Sequence, residues 1–436
     1  MLLEALLVLI LVLAGAFVFG THVAVALGFV GIILLTFFSD RPTLGLMGHS
    51  AWELFSDTTL IVIPLFALMG DLLVRSGVTD SMYRTMAMWM GRVPGGLLHT
   101  NVIASAMFGS VSGTSVAVAS TIGSVAIPQL YEKGYPRPMV LGSLAAGGTL
   151  GIMIPPSMVL VIYGMIAKES IGDLLMAGIV PGIMLTLLFM LVALYFGIRR
   201  SDLPRGESVP VGEKIRASLS LVPFIALMLI VVLSIYLGIA TVTESAAFGV
   251  AGAFVLALLK KRVNWSMLKE TFASTAATTA MIMFLLLGAN IMQTALGYLG
   301  VQRAAGEALV AANLSPFMLM LIIVIVMLIA GAFLDSLAVI VTTLPIIVPL
   351  VAAAGFDMIW FGVIVVLLVE VGMITPPYGM NLFVLHGVQK KLYPDAKLGD
   401  AYRGSWPFVF AMIVGLVLLW AFPDLATWLP YSASSS

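Results

Sequence analysis

Twelve apolar stretches follow one another along the chain, at about 2–19, 22–38, 58–74, 94–131, 139–166, 174–198, 221–238, 243–260, 271–298, 316–352, 360–388 and 406–422. A helix needs about 20 residues to cross the hydrocarbon layer, and ten of the stretches have that length. The stretches 94–131 and 316–352 are too long for one crossing and are each interrupted near the middle, which predicts two re-entrant helical hairpins. The expected fold is an all-α polytopic membrane protein of about ten transmembrane helices plus two hairpins. The segment 43–57 sets Leu44, Leu46, Met47, Trp52, Leu54 and Phe55 among polar residues. It reads as an interfacial amphipathic arm or as a plain loop.

The interruptions carry the chemistry. Between Met107 and Ser157 stand Gly109-Ser110-Val111-Ser112-Gly113-Thr114-Ser115 and then Gly147-Gly148-Thr149-Leu150-Gly151-Ile152-Met153-Ile154-Pro155-Pro156. Glycine is conformationally loose and proline lacks an N–H, so both segments are expected to interrupt a helix. Broken backbone at membrane depth is tolerated only inside protein or along a polar cavity, and it marks transporter binding sites.

An internal repeat supports that reading. Adding 221 takes Ser115 to Ser336, Thr121 to Thr342, Pro128 to Pro349, Gly134 to Gly355, Gly151 to Gly372, and Pro155-Pro156 to Pro376-Pro377. The expected organisation is a first repeat 1–198 (hairpin 94–131, broken helix 139–166) and a linker 199–220. A second repeat 221–423 (hairpin 316–352, broken helix 360–388) and a tail 424–436 follow. Five crossings in each half is an odd number, so the second repeat enters the membrane from the opposite side.

Charge sets the orientation. Arg199, Arg200, Arg205, Lys214 and Arg216 of the linker, Lys260-Lys261-Arg262, Lys390-Lys391, and Arg75, Arg84 and Arg92 belong in the cytoplasm by the positive-inside rule. Both termini are then outside. Composition agrees: of the 436 residues 61% are hydrophobic and 10% charged, with a mean hydropathy of +1.14. Lys+Arg and Asp+Glu both number 21, so there is no basic patch for nucleic acid, and no cysteine is present. The first stretch carries Glu4 and no basic n-region, which favours a retained span over a signal peptide.

Two oxygen-rich sites are expected where each hairpin tip faces a break. The first combines Ser110, Ser112, Gly113, Thr114 and Ser115 with Thr149, Gly151 and Ile154. The second combines Gly331, Asp335 and Ser336 with Gly372 and Thr375. Hydroxyls and carbonyls replace the hydration shell of a hard cation, and helix N-termini favour an anion. Asp335 is the repeat partner of Thr114 and supplies the one formal charge in these tips. Glu370, Glu244, Asn290, Gln293 and Asn381 are weaker candidates, and Ser143 reads as a packing hydroxyl. No arginine lies in either break to clamp a carboxylate.

The Gly-Ser-x-Ser-Gly-x-Ser pattern at 109–115, Gly-x-x-x-Pro-Pro-Ser at 151–157 and Thr375-Pro376-Pro377-Tyr378-Gly379 resemble the large membrane subunit of the tripartite ATP-independent periplasmic (TRAP) transporters. The resemblance covers essentially the whole chain. It implies an elevator-type transporter, similar in layout to divalent-anion sodium symporters. The activity it implies is sodium-coupled uptake of an organic anion such as a C4-dicarboxylate, a sialic acid or a sugar acid. It further implies sodium ions at the two sites, no organic cofactor, a periplasmic substrate-binding protein, and a small four-span membrane subunit expected as a separate polypeptide. Membrane lipid is the remaining partner, and the bacterial or archaeal inner membrane the location. Helices 58–74, 139–198 and 271–298 are expected to move with the hairpins, against a static support of 2–38 and 221–260.

Three rival readings stand beside it. A conventional symporter would act without a binding protein, and a channel would conduct without saturation or sodium. An intramembrane enzyme fits poorly, because His22, His49, His99 and His386 lack an orienting partner in sequence and no His-Glu-x-x-His motif is present.

Overall fold

The computed structural model describes residues 2–40, 42–200, 203–204, 209–301, 303–304, 307 and 315–434. Arg205 of the linker lies outside the described residues. Among the described residues the structure is helical, with no strand. The first half comprises α1 (Leu2–Val18), α2 (Val23–Phe38), α3 (Thr43–Ser56), α4 (Val62–Arg75), α5 (Val78–Met90), α6 (Leu97–Ser112), α7 (Ser115–Glu132), α8 (Arg137–Met153), α9 (Met158–Ala167), α10 (Ile171–Ala177) and α11 (Ile179–Arg199). The second comprises α12 (Val211–Leu219), α13 (Val222–Tyr236), α14 (Val242–Leu259), α15 (Trp265–Tyr298), α16 (Pro316–Phe333), α17 (Ser336–Ala353), α18 (Met358–Met373), α19 (Met380–Leu392), α20 (Leu398–Ala421) and α21 (Asp424–Ser434).

Seven of the described helices are long and apolar enough to cross a membrane, or nine if two bent pairs each count as one span. Two of the nine are the arms of the second hairpin, so seven of the ten expected crossings meet that length among the described residues and the others are shorter. The shortfall includes α2 and α18, apolar helices of 16 residues each. Every residue of α18 from Ile359 to Met373 is buried, so protein contacts rather than hydrocarbon thickness set its length. The two arms of the second hairpin, α16 and α17, each have the length of a span. The 43–57 segment is a helix, with Leu44 and Trp52 exposed and Ser50 bonded to Thr294 of α15 at 3.0 Å. The linker contains one helix, α12.

Element boundaries recur at the 221-residue spacing: α7 starts at 115 and ends at 132, and α17 starts at 336 and ends at 353. Local chemistry fixes the ends. Gly113 closes α6 in the left-handed region (φ +62°), where a side chain would be strained. Ser157 caps α9 and Asp357 caps α18 through their side chains. Glu244 forms a reciprocal capping box with Thr241 at the start of α14, a structural role.

Packing divides the helices into two groups. α8 is buried from Val140 to Met153 and packs against α6, α7 and α20, while α18 packs against α16, α17 and α20. The other group joins α1 to α2, α2 to α15, α15 to α4, α4 to α14 and α14 to α13. Small residues let α2 and α15 approach closely: a Cβ on Gly31 would fall 2.8 Å from the Ile291 side chain and 2.9 Å from its backbone. Thr275 Oγ1 of α15 donates to Asp71 Oδ2 of α4 at 3.1 Å. The chief contacts of α4 and α15, the expected movers 58–74 and 271–298, are therefore with the helices expected to be static. Hydropathy marks a helix as membrane-spanning but does not say which neighbour its small-residue face meets.

Candidate functional site

Both hairpins turn in two residues. Gly113 and Thr114 separate α6 from α7, and Leu334 and Asp335 separate α16 from α17. Thr114, Leu334 and Asp335 are all extended, which ends one helix and exposes the next N-terminus. Asp335 Oδ1 accepts from the N–H groups of Leu337 (2.9 Å) and Ala338 (3.2 Å), capping α17 and leaving Oδ2 outside those bonds.

The facing helices break at their prolines. α8 ends at Met153, passes through Ile154-Pro155-Pro156-Ser157 and continues as α9 at a 45° bend. α18 ends at Met373 and resumes as α19 after Gly379, which has φ +64°. Pro155 has no N–H, so the Gly151 carbonyl lacks its helical donor. The Ile152 carbonyl, deprived by Pro156, accepts instead from Ser157 Oγ. In the second half the Gly372 carbonyl accepts from Thr375 N at 3.2 Å, and Thr375 Oγ1 donates to the Val371 carbonyl at 2.6 Å.

The breaks are narrower than glycine content implied. Gly109 is within α6, and Gly147, Gly148 and Gly151 are within α8. Their missing Cβ atoms permit contact between helices instead. A Cβ on Gly109 would collide with Gly151 Cα, and one on Gly147 would lie 2.8 Å from the Ser105 side chain. The second half repeats this: a Cβ on Gly372 would lie 2.6 Å from Gly331 Cα. Each hairpin is thus seated on its own broken helix through a glycine pair. The Gly379 N–H also donates to the Ala332 carbonyl at 3.2 Å.

These contacts bring Ser110, Ser112, Gly113, Thr114 and Ser115 beside Gly151 and the proline break, and a Cβ on Gly113 would fall 3.2 Å from the Met158 side chain. The Ser110 hydroxyl donates to the Met107 carbonyl at 2.8 Å, and Ser115 Oγ accepts from Asn381 Nδ2 at 2.6 Å. In the second half Gly331 lies against Gly372 and Thr375 is bonded within its own break, while Asp335 caps the helix that begins at Ser336. Thr149 does not join. It lies about 200° around the helix from Gly151, is fully buried, and donates to the Ala146 carbonyl at 2.7 Å.

Asn381 of α19 links the halves. Its Nδ2 also donates to the Ala145 carbonyl of α8 at 3.2 Å, while its buried Oδ1 has no partner. Glu370 is fully buried with neither carboxyl oxygen hydrogen-bonded, and like Thr149 it lies about 200° from its glycine, here Gly372. Asn290 and Gln293 lie elsewhere, lining a cavity of about 1090 Å³ with Glu53, Asp57, Glu169 and Glu244. Ser143 joins helices, accepting from Asn101 Nδ2 at 2.9 Å. Gly70 of α4 carried no distinguishing signal in its apolar helix, yet a Cβ there would lie 2.6 Å from the Val111 carbonyl oxygen at the first tip.

Comparison with known proteins agrees with this architecture. The family model for the DctM component of the tripartite ATP-independent periplasmic transporter matches residues 7–425. The C4-dicarboxylate TRAP transporter large permease protein DctM of Vibrio cholerae is 30% identical, over 98% of this chain and 97% of its own length. The 2,3-diketo-L-gulonate TRAP transporter large permease protein YiaN of Escherichia coli is 29% identical over 97% and 98%. The ectoine/5-hydroxyectoine TRAP transporter large permease protein UehC of Ruegeria pomeroyi is 29% identical over 93% of each. Among solved structures, the Alcanivorax borkumensis YdaH transporter shares the fold with a TM-score of 0.66 at 15% identity, covering 89% of each chain. The match to the family model over residues 7–425, with relatives of the same kind over nearly the whole chain, makes this chain a member of the DctM family, the large permease subunits of TRAP transporters, and a multi-pass protein of the bacterial inner membrane.

Proposed function

We propose that the chain carries a small organic anion into the cell by sodium-coupled secondary transport, receiving it from a periplasmic binding protein and working beside a small four-span membrane subunit. The observation that carries this reading is the pair of hairpin tips seated on broken helices at a constant spacing. In this reading each unit supplies hydroxyls and backbone oxygens within the membrane, a donor set suited to a hard monovalent cation. Sodium is here a co-substrate. The first site offers the Ser112 and Thr114 oxygens with the Gly151 carbonyl. The second offers Asp335 Oδ2, Ser336 and carbonyls around Gly372. Occupied cation sites would lend positive charge to an anion bound between the tips, in place of an arginine clamp. A carboxylate class of substrate is supported by the names of the C4-dicarboxylate and diketogulonate relatives.

The movement is an elevator in this reading. Helices α6–α11 and α16–α21 form the carrier, and α1–α4 with α13–α15 form the support. The Gly70–Val111 approach and the contact of Ser110 Oγ with Met228 Sδ (3.9 Å) lie on the sliding surface. The test is uptake into proteoliposomes holding the chain, its small subunit and its binding protein. Saturable uptake requiring an inward sodium gradient and all three proteins is the expected result. Equal uptake from free substrate without the binding protein would make it a conventional symporter, and unsaturable flux independent of sodium would make it a channel.

A further inference from the structure

The linker contains an apolar surface outside the two hairpin and broken-helix units. Val211, Ile215 and Leu219 of α12 are 65%, 52% and 63% exposed. They are four residues apart and so form one stripe. Across a 51° bend the stripe runs on into Val222, Ile225 and Leu229, the exposed face of the apolar helix α13. Another face of α12 is already covered by α5. There Trp89 Nε1 donates to Ser218 Oγ at 2.9 Å, and Lys214 Nζ lies 5.4 Å from the Trp89 ring centre. At 100° per residue, Lys214 and Arg216 stand about 100° to either side of Ile215, and Glu213 lies about 160° away. An apolar stripe flanked by two cations, with the acid opposite, suits a helix lying in a membrane surface, where long basic side chains reach up to headgroups.

We propose that α12 is a membrane-surface helix, its Val211–Ile215–Leu219 stripe sunk into the headgroup–acyl boundary of the inner leaflet and Lys214 and Arg216 bound to anionic phospholipid headgroups. Two features favour lipid over a protein partner. The stripe is continuous with exposed apolar residues of α13, a helix that passes as a membrane span together with α12, and the chain leading into α12 carries Arg199 and Arg200. The contact with α5 gives the anchor a consequence. α5 joins α4 to the first hairpin, so an anchored α12 holds that connection at a fixed depth.

Because the chain has no cysteine, single labels are direct. Nitroxides at Ile215→Cys, Leu219→Cys and Glu213→Cys are compared in the full chain, reconstituted in phosphatidylethanolamine–phosphatidylglycerol vesicles. Oxygen should collide more often than a water-soluble nickel chelate at 215 and 219, with the order reversed at 213. Lys214→Gln and Arg216→Gln should each weaken phosphatidylglycerol association about fivefold, the effect of one surface cation. Nickel access at 215 and 219 equal to that at 213 would overturn the proposal. So would shielding of 215 that arises only when the small subunit is added, which would make the stripe a protein interface. Equal association of phosphatidylcholine and phosphatidylglycerol would overturn the headgroup assignment.

Discussion

Replacing Gly372 by alanine isolates the seating of the second hairpin. A Cβ there falls 2.5 Å from the Gly331 carbonyl carbon, 2.6 Å from its Cα and 2.9 Å from its oxygen. All three are backbone atoms, so no rotamer change relieves the contact. Ordinary contact begins near 3.4 Å, so α16 must withdraw by roughly 1 Å, and such overpacking costs about 1–3 kcal/mol. Alanine is better than glycine in a helix by about 1 kcal/mol, which offsets part of that. The net of up to about 2 kcal/mol lowers the population of the seated tip by as much as ~30-fold. The reciprocal change, Gly331→Ala, tests the same contact from the other side. Its Cβ would lie 3.2 Å from Gly372 Cα, a conflict of a few tenths of an ångström that helix propensity roughly cancels. A sodium titration of uptake in the complete three-protein system should show a raised half-maximal sodium concentration for Gly372→Ala and a near-normal curve for Gly331→Ala. Thermal unfolding of both variants checks that each is folded. A normal curve for Gly372→Ala, or equal damage from the two changes, would refute a hairpin seated through this pair.

Asp335→Asn should raise the sodium concentration for half-maximal uptake more than Ser110→Ala does, because it removes the one formal charge in the tips while an amide oxygen can still cap α17; an unchanged sodium curve would leave Asp335 a helix cap only. Asn381→Leu should lower thermal stability by about 1–3 kcal/mol, since the Ala145 carbonyl loses a buried donor; unaltered melting in detergent would show that the link between halves is dispensable. A Ser50→Cys/Thr294→Cys disulfide, within the proposed support, should leave uptake intact, whereas Ser110→Cys and Met228→Cys joined by a short bifunctional methanethiosulfonate across the proposed sliding surface should abolish it until reduced. Inhibition by the first pair that reduction reverses would return α15 to the moving group.

Much of this protein was legible without coordinates because the signals are local or periodic. Long apolar runs mark membrane helices through the cost of burying polar backbone in hydrocarbon. Pro155-Pro156 and Pro376-Pro377 mark breaks because a missing N–H acts within one turn. The 221-residue spacing shows itself in the residues alone. Glycine was ambiguous by its nature. The same missing Cβ that loosens a loop lets two helices touch, and only tertiary contact decides between them. Gly113 has a positive φ and closes a helix, whereas Gly109, Gly151, Gly331 and Gly372 are helical and serve close approach. The partners of α4 and α15 were likewise undetermined, because every face of an apolar helix looks alike until Gly31 meets Ile291 and Asp71 meets Thr275. Asn381 reaches Ser115 across 266 positions of sequence, and no local pattern encodes a bond that long-range packing alone creates.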